Sequence, residues 1–392
     1  MEARPSSNCS IAAWSDPVTE TPAKASTWFQ RYLLPGFAFK AVVIGGGYAT
    51  GRELAEFFLP TGTWGGIAAM TLSMLIFSAA CVVTFLFARK FSAHDYVTFF
   101  KQLLGPGWVL FEGAYILFIV LILAVYGAAA GAIGTAVFGV SEIWGTAALG
   151  LSIIAIVTFG NVSVERMFAY VSYLLYAVYA LFVVLGFSRF GSEIQAAFAS
   201  NVPVGNWVAG GTIYAGYNLI GAVVILPVIR HLTSSRDAVV AGLLAGPLAM
   251  LPGALFFICM VAFLPDIATA TLPSDYMLQQ LNLPLFHLLF QLMIFSALLE
   301  SGASSVHAIN ERIAKAVRVR RGTDLSHRAR LAISLALLIF CMFLADRFGL
   351  VALIANGYRA LAYILLAVFV LPLMTYGVWR LRRSSSTPLE VA

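Results

Sequence analysis

Ten stretches of this chain are apolar for long enough to cross a lipid bilayer, and that leaves few options for its fold. A spanning helix needs about 20 mostly apolar residues. Such stretches fall at about 32–59, 64–88, 110–138, 144–160, 167–188, 207–229, 238–264, 284–311, 329–345 and 349–379, and the gaps between them are short. Of the 392 residues, 60% are hydrophobic and 11% are charged, against about 25% charged in an average soluble domain. No soluble fold of this length could hide that much apolar surface, so the bilayer is the natural solvent. The expected fold is an all-α integral membrane bundle of about ten transmembrane helices.

Charge placement orients the bundle. With ten spans, 19 of the 24 lysines and arginines fall on the side of the N-terminus, including the run Arg312, Lys315, Arg318, Arg320, Arg321, Arg328 and Arg330. Only Arg189 and Arg347 fall on the other side, and Lys40, Arg52 and Arg359 lie within spans. Excess Lys and Arg marks the cytoplasmic face, so both termini are expected inside the cell. The net charge of +6 therefore reads as membrane orientation, and no basic stripe with interleaved aromatics suggests nucleic acid. Residues 1–27 are polar and carry Pro5, Pro17 and Pro22, without the apolar core of a secretory signal. They are expected to form a disordered cytoplasmic tail, as is 381–392. Cys9, Cys81, Cys259 and Cys341 are scattered, with no Cys/His spacing for a metal or a disulfide framework.

Two spans look broken. The first carries Gly45, Gly46, Gly47 and Gly51 within seven residues, followed at once by Arg52 and Glu53. Glycine is poor in a helix interior, and unwound backbone at membrane depth persists only where it is buried in protein or lines a cavity. The sixth span has a similar cluster around Gly210, Gly211, Gly216 and Gly221. Spans one and six occupy matching places in two halves of five helices, 28–190 and 191–380. Five is odd, so the second half enters from the opposite side, the layout of an inverted repeat. Gly46, Gly47, Thr50 and Gly51 at the first break, Gly216 and Asn218 at the second, and the nearby Tyr115, Tyr214 and Tyr217 are the expected solute-binding residues. The glycines of span three (Gly127, Gly131, Gly134) and span seven (Gly242, Gly246) are spaced for helix packing instead.

Ionisable residues at membrane depth are costly and usually functional. Lys40 can snorkel to the cytoplasm, pair with Glu300, or serve as a cation or proton carrier. Arg52, Glu53 and Glu56 can line an outer gate, bind a substrate charge, or form a structural ion pair. Arg359 in span ten is a candidate partner for Glu53 or Glu56, and Glu300 for a proton or a substrate amine.

The stretch GGGYATGRELAEFF, Gly45 to Phe58, resembles the first helix of the YkvI-like branch of the amino acid–polyamine–organocation superfamily. The five-plus-five arrangement resembles the leucine-transporter fold of that superfamily, over about residues 32–379. The resemblance implies a secondary transporter that works by alternating access, with an amino acid or organic amine as substrate and a sodium or proton gradient as the driving force. In sodium-coupled members a small-Gly-x-Ser/Thr-Ser run in the eighth helix helps to bind the ion. Here that run is Ser301-Gly302-Ala303-Ser304-Ser305. The resemblance implies hydroxyl ligands from Ser304 and Ser305, and carbonyl ligands from Ser301, Gly45 and Tyr48. The bland alternative is that the serines bond back to the preceding helical turn.

No enzyme motif appears, and no phosphate-binding loop GxxxxGK[ST] suggests ATP as the energy source. Beyond Na+ as a coupling ion no cofactor is expected. The expected partners are a small solute and the lipid bilayer, and a monomer suffices for the mechanism. A channel, and a sensor that keeps the transporter fold without transport, are the alternatives. The composition suits the inner membrane of a bacterium.

Overall fold

The structure is a computed structural model that describes residues 26–159, 162–200 and 203–383. The expected tails lie almost wholly outside the described residues. Every regular element among the described residues is a helix, as expected for a chain whose backbone must pair internally in hydrocarbon. Leu151, Val184, Leu251, Phe343 and Leu371 are 60–68% exposed, so the apolar surface faces outward toward lipid.

Span one opens at a capping box. Thr27 accepts from the Gln30 amide, and the Gln30 side chain accepts from the Thr27 amide, which satisfies two orphan N–H groups. Helix Leu34–Val43 follows, with Pro35 in its first turn. The glycine run ends it at Ile44. The chain then makes the short turn Gly46–Ala49, passes through Gly51 at φ +77°, and resumes as Arg52–Phe57. Gly51 needs to be glycine for two reasons. Its φ lies in the left-handed region, and a Cβ there would sit 2.8 Å from the Phe256 ring.

Spans two (Thr63–Lys90), three (Trp108–Phe138) and four (Glu142–Phe159) are continuous helices, and span five is Val162–Arg189. Span six is Trp207–Asn218 and Ile220–Val224, with its interruption at Leu219. Span seven is Ser235–Met260, and span eight is the long helix Pro284–Arg321. The remaining segment divides at Gly349 (φ 72°, ψ 166°), a kink inside His327–Ala352. Span ten then runs through π-helical turns at Leu353–Tyr358, Leu366–Val370 and Leu373–Gly377. The amphipathic segment 91–109 forms a short helix, Tyr96–Leu104. The gap 265–283 holds another, the lid helix Pro273–Leu281, whose Ser274 amide donates to the Thr50 carbonyl at the break of span one.

Small residues set the helix packing, because lipid tails provide little hydrophobic drive between helices. A Cβ on Gly246 would lie 2.2 Å from the Met74 carbonyl oxygen, and one on Gly145 would lie 2.2 Å from that of Ala130. Hydroxyls then bond across helices, Ser73 to the Gly211 carbonyl and Thr146 to that of Gly127, both at 2.8 Å.

The N-terminal end of span one is tied to span seven. The Arg31 guanidinium donates to both oxygens of Asp237, at 2.9 and 2.8 Å. Asp237 also accepts from Thr233 and Ser234 at the start of its own helix. Fork-to-fork pairs of this kind are strong and directional. Asp237→Ala is therefore expected to free the start of span one. Limited trypsin digestion should then cut after Arg31 several-fold faster than in the unsubstituted protein. An unchanged rate would mean that the pair does not hold this end in place.

Candidate functional site

The break in span one does what unwound backbone at membrane depth must do, which is to line a cavity. Gly45 and Glu53 face it from span one, Tyr126 from span three, Tyr217 and Asn218 from span six, and Tyr358 from span ten. Phe118, Ile122 and Ile220 supply apolar wall. The space open to the centre of a water-sized sphere is about 20 Å3, room for a water molecule or a small ion. A solute with a carbon skeleton needs a wider cavity than this.

Glu53 gives the cavity its charge. It is 5% exposed, and its Oε2 accepts a 2.6 Å hydrogen bond from the Tyr217 hydroxyl. Tyr217 packs against the tilted ring of Tyr358, with centroids 4.6 Å apart, and edge-on to Tyr214. The Tyr214 hydroxyl is buried and has no hydrogen-bond partner among the described residues. Among those residues no lysine, arginine or histidine lies within ion-pair distance of Glu53. A lone carboxylate walled by phenols and aromatic faces suits a cation, through charge and through cation–π contact.

The neighbouring charges are used elsewhere. Arg52 donates to the carbonyls of Ala268 and Ala270 at 3.1 and 3.0 Å, and to Glu56 at 3.0 Å. Arg359 reaches the other oxygen of Glu56 at 3.5 Å. Of the two partners expected for Arg359, the structure therefore pairs it with Glu56, and Glu53 is left to the cavity. Glu56 thus bridges spans one and ten above the cavity. The lid is fastened as well. The Ser274 amide donates to the Thr50 carbonyl at 3.0 Å, and Asp275 is met by His287 at 2.6 Å and Gln291 at 2.7 Å.

Other expected residues stand apart from the cavity. Tyr115 lies near the N-terminal face, where its ring and that of Tyr96 hold Arg312 (3.7 and 4.1 Å from the ring centroids) and Glu112 pairs with the same arginine. Gly216 packs against Leu366 and Ala362 of span ten. Gly46 and Gly47 belong to the turn that breaks span one. Lys40 does not meet Glu300 within ion-pair distance. Its ammonium sits 4.2 Å from the centroid of the Tyr176 ring.

The serine run does not gather into an ion site in this conformation. The Ser305 hydroxyl donates back to the Ser301 carbonyl at 2.8 Å, and Ser304 is exposed. The Gly45 and Tyr48 carbonyls already accept from the amides of Ala49 (3.2 Å) and Gly51 (2.9 Å). Between the run and the break stands Tyr126. A Cβ on Gly45 would lie 3.0 Å from its hydroxyl, and that hydroxyl is also beside Ser301. The sequence places Tyr126 only among the tyrosines near the breaks, and gives Tyr358 no site role. The one signal for Tyr126 is a lone large polar ring ahead of a Gly/Ala run, YGAAAG.

Comparison of the whole chain with solved structures fits this geometry. It matches a substrate-bound, outward-open Na+-coupled sialic acid symporter with a TM-score of 0.58 and 14% identity, over 88% of this chain and 82% of that one. The chain has the leucine-transporter fold. Two further structures support this. A manganese transporter of Eremococcus coleocola matches with a TM-score of 0.55 and 15% identity, over 91% of this chain and 81% of that one. MhsT in complex with L-phenylalanine matches with a TM-score of 0.50 and 15% identity, over 91% and 98% of the two chains. In sequence, the chain is similar to the uncharacterized membrane protein YkvI of Bacillus subtilis, 24% identical over 280 residues, which is 71% of this chain and 79% of YkvI. No family model matches. Within the leucine-transporter fold, the cavity beside the break in span one lies where the two five-helix repeats meet.

Proposed function

We propose that the protein is a secondary active transporter that moves a small organic amine or amino acid across the membrane by alternating access. The observation that carries this is Glu53, a buried carboxylate at the break of span one, hydrogen-bonded by Tyr217 of span six and, among the described residues, with no basic side chain within ion-pair distance. Cargo bound there touches both broken helices at once. The lid face is the outer face, where Arg52, Glu56, Arg359 and the lid helix form the outer gate. Arg31 and Asp237 form the inner one. The repeats span 28–190 and 191–380, both termini are cytoplasmic, and the membrane is the inner membrane of a bacterium. One copy of the chain is sufficient.

An ion gradient supplies the drive. The sodium reading rests on the serine run of span eight and on the likeness to a Na+-coupled symporter. Against it, the Ser305 hydroxyl is committed to Ser301. Thermal stability of the purified protein, measured with a panel of amines and amino acids in sodium or in choline, tests the function. A ligand at a hundredfold excess over its Kd adds about 2.7 kcal/mol. Amines are expected to stabilise the protein. The double variant Ser304→Ala, Ser305→Ala is expected to change the difference between sodium and choline by less than about 1 kcal/mol, the scale of one intrahelical hydroxyl bond. A sodium stabilisation that disappears in this variant would instead make the serine run the coupling site.

A further inference from the structure

We propose that Glu53 exchanges a proton for an organic ammonium, so that the transporter is an electroneutral amine–proton antiporter. This deepens the function proposed above and rests on it. Among the described residues, Glu53 is the one acidic side chain lining the cavity at the break of span one. The titratable groups that line the cavity with Glu53 are Tyr126, Tyr217 and Tyr358, and Tyr48 and Tyr214 lie within electrostatic reach of it. Phenols donate hydrogen bonds but carry no positive charge.

The charged groups at the edges are otherwise engaged. Arg52 and Arg359 meet Glu56, and Asp275 of the lid is held by His287, Gln279 and Gln291. Asp266 lies outside, on the approach to the lid, and is exposed. A bare charge at membrane depth is costly, and one hydrogen bond from Tyr217 does not cancel it. The cavity therefore closes with Glu53 neutralised, by a proton or by a bound cation. With a proton on Glu53 the cavity needs to hold nothing else, and its volume of about 20 Å3 suits that form. With an ammonium it must widen, and the phenol rings then line the cation.

The exchange balances. The glutamic acid and an incoming ammonium become a carboxylate–ammonium pair, and the acid's proton leaves to solvent. No covalent bond forms, nothing is oxidised or reduced, and the site is neutral before and after. Each cycle carries one ammonium one way and one proton the other, because the unloaded carboxylate does not cross.

The test uses the purified protein in weakly buffered detergent, with a pH dye, and methylammonium, propylammonium and phenethylammonium chlorides as probes. The expected result is release of one proton per amine bound. The apparent Kd should weaken about tenfold for each unit of pH below the carboxyl's titration, the linkage slope for one proton. Glu53→Gln should abolish both, and Glu53→Asp should restore proton release with altered affinity. Amine binding without proton release, or with a Kd independent of pH, overturns the exchange while leaving the transporter standing. Proton release by sodium chloride in place of the amines also overturns it, since the exchanging cation would then be sodium. If none of the three amines binds, the exchange falls, and the transporter reading falls with it only if no amino acid stabilises the protein either.

Discussion

Glu53→Gln is expected to lower the affinity for an amine by about a hundredfold or more, with the fold intact. Removing one partner of a buried charge pair costs about 3–5 kcal/mol, which exceeds two decades in Kd. The amide fills the same space as the carboxylate and can still accept from Tyr217, so the hydrogen bond between spans one and six survives. The measurement is an amine titration followed by thermal shift, with circular dichroism to show unchanged helix content. Retained affinity would mean that the cation sits elsewhere. Tyr217→Phe gives a graded comparison, because it removes one hydrogen bond to a charged group, worth about 1.5–3 kcal/mol.

The largest effect on stability is expected from Gly246→Val. Spans two and seven approach so closely there that a Cβ would lie 2.2 Å from the Met74 carbonyl oxygen and 2.3 Å from the Ser78 hydroxyl. The first of these is backbone and cannot swing aside. Overpacking usually costs about 1–3 kcal/mol, and a backbone clash across the tightest helix pair belongs at or above that range. The variant should be lost to aggregation, or melt well below the unsubstituted protein in size-exclusion and thermal-shift assays. Gly113→Ala is the control. It also lies in a long helix, but nothing stands within 4 Å of a Cβ there, so it should be neutral or slightly stabilising. Equal effects in both would mean that the approach of spans two and seven is not what requires glycine at position 246.

The bundle was legible in the sequence because membrane helices announce themselves. Each must bury about 20 apolar residues, and that demand survives any tertiary rearrangement. The break in span one was legible for the same reason, since Gly45, Gly46, Gly47 and Gly51 beside Arg52 and Glu53 break a rule that lipid enforces. Span six was read less well. Its interruption falls at Leu219, whereas Gly210 and Gly211 are there because the carbonyls of Phe57 and Ala69 approach within 2.3 and 2.5 Å of where a Cβ would be. Clustered glycines do not say which of the two uses they serve.

Partner choice among charges was not legible either. Nothing in the order of residues says that Arg359 turns to Glu56 and leaves Glu53 to the tyrosines. That depends on the one-turn offset between two acids on the same helix. Tyr358 stayed hidden because it takes part only through the packing of span ten against span six. Tyr115 was placed near the breaks, yet its ring belongs with Tyr96 and Arg312 at the far end of span three. An aromatic in a long span can serve any depth of the membrane, and its position along the helix has to be read with its neighbours.

The most direct test of the account is transport itself. Proteoliposomes containing the protein would be preloaded with an amine found to stabilise it, and uptake of the same labelled amine would be followed after dilution. Saturable uptake by counterflow is expected in vesicles with the unsubstituted protein, and none in vesicles with Glu53→Gln or without protein. Flux that rises linearly with concentration and is untouched by Glu53→Gln would contradict it and point to a channel. Binding without any counterflow would contradict it too, and would leave a sensor built on a transporter fold.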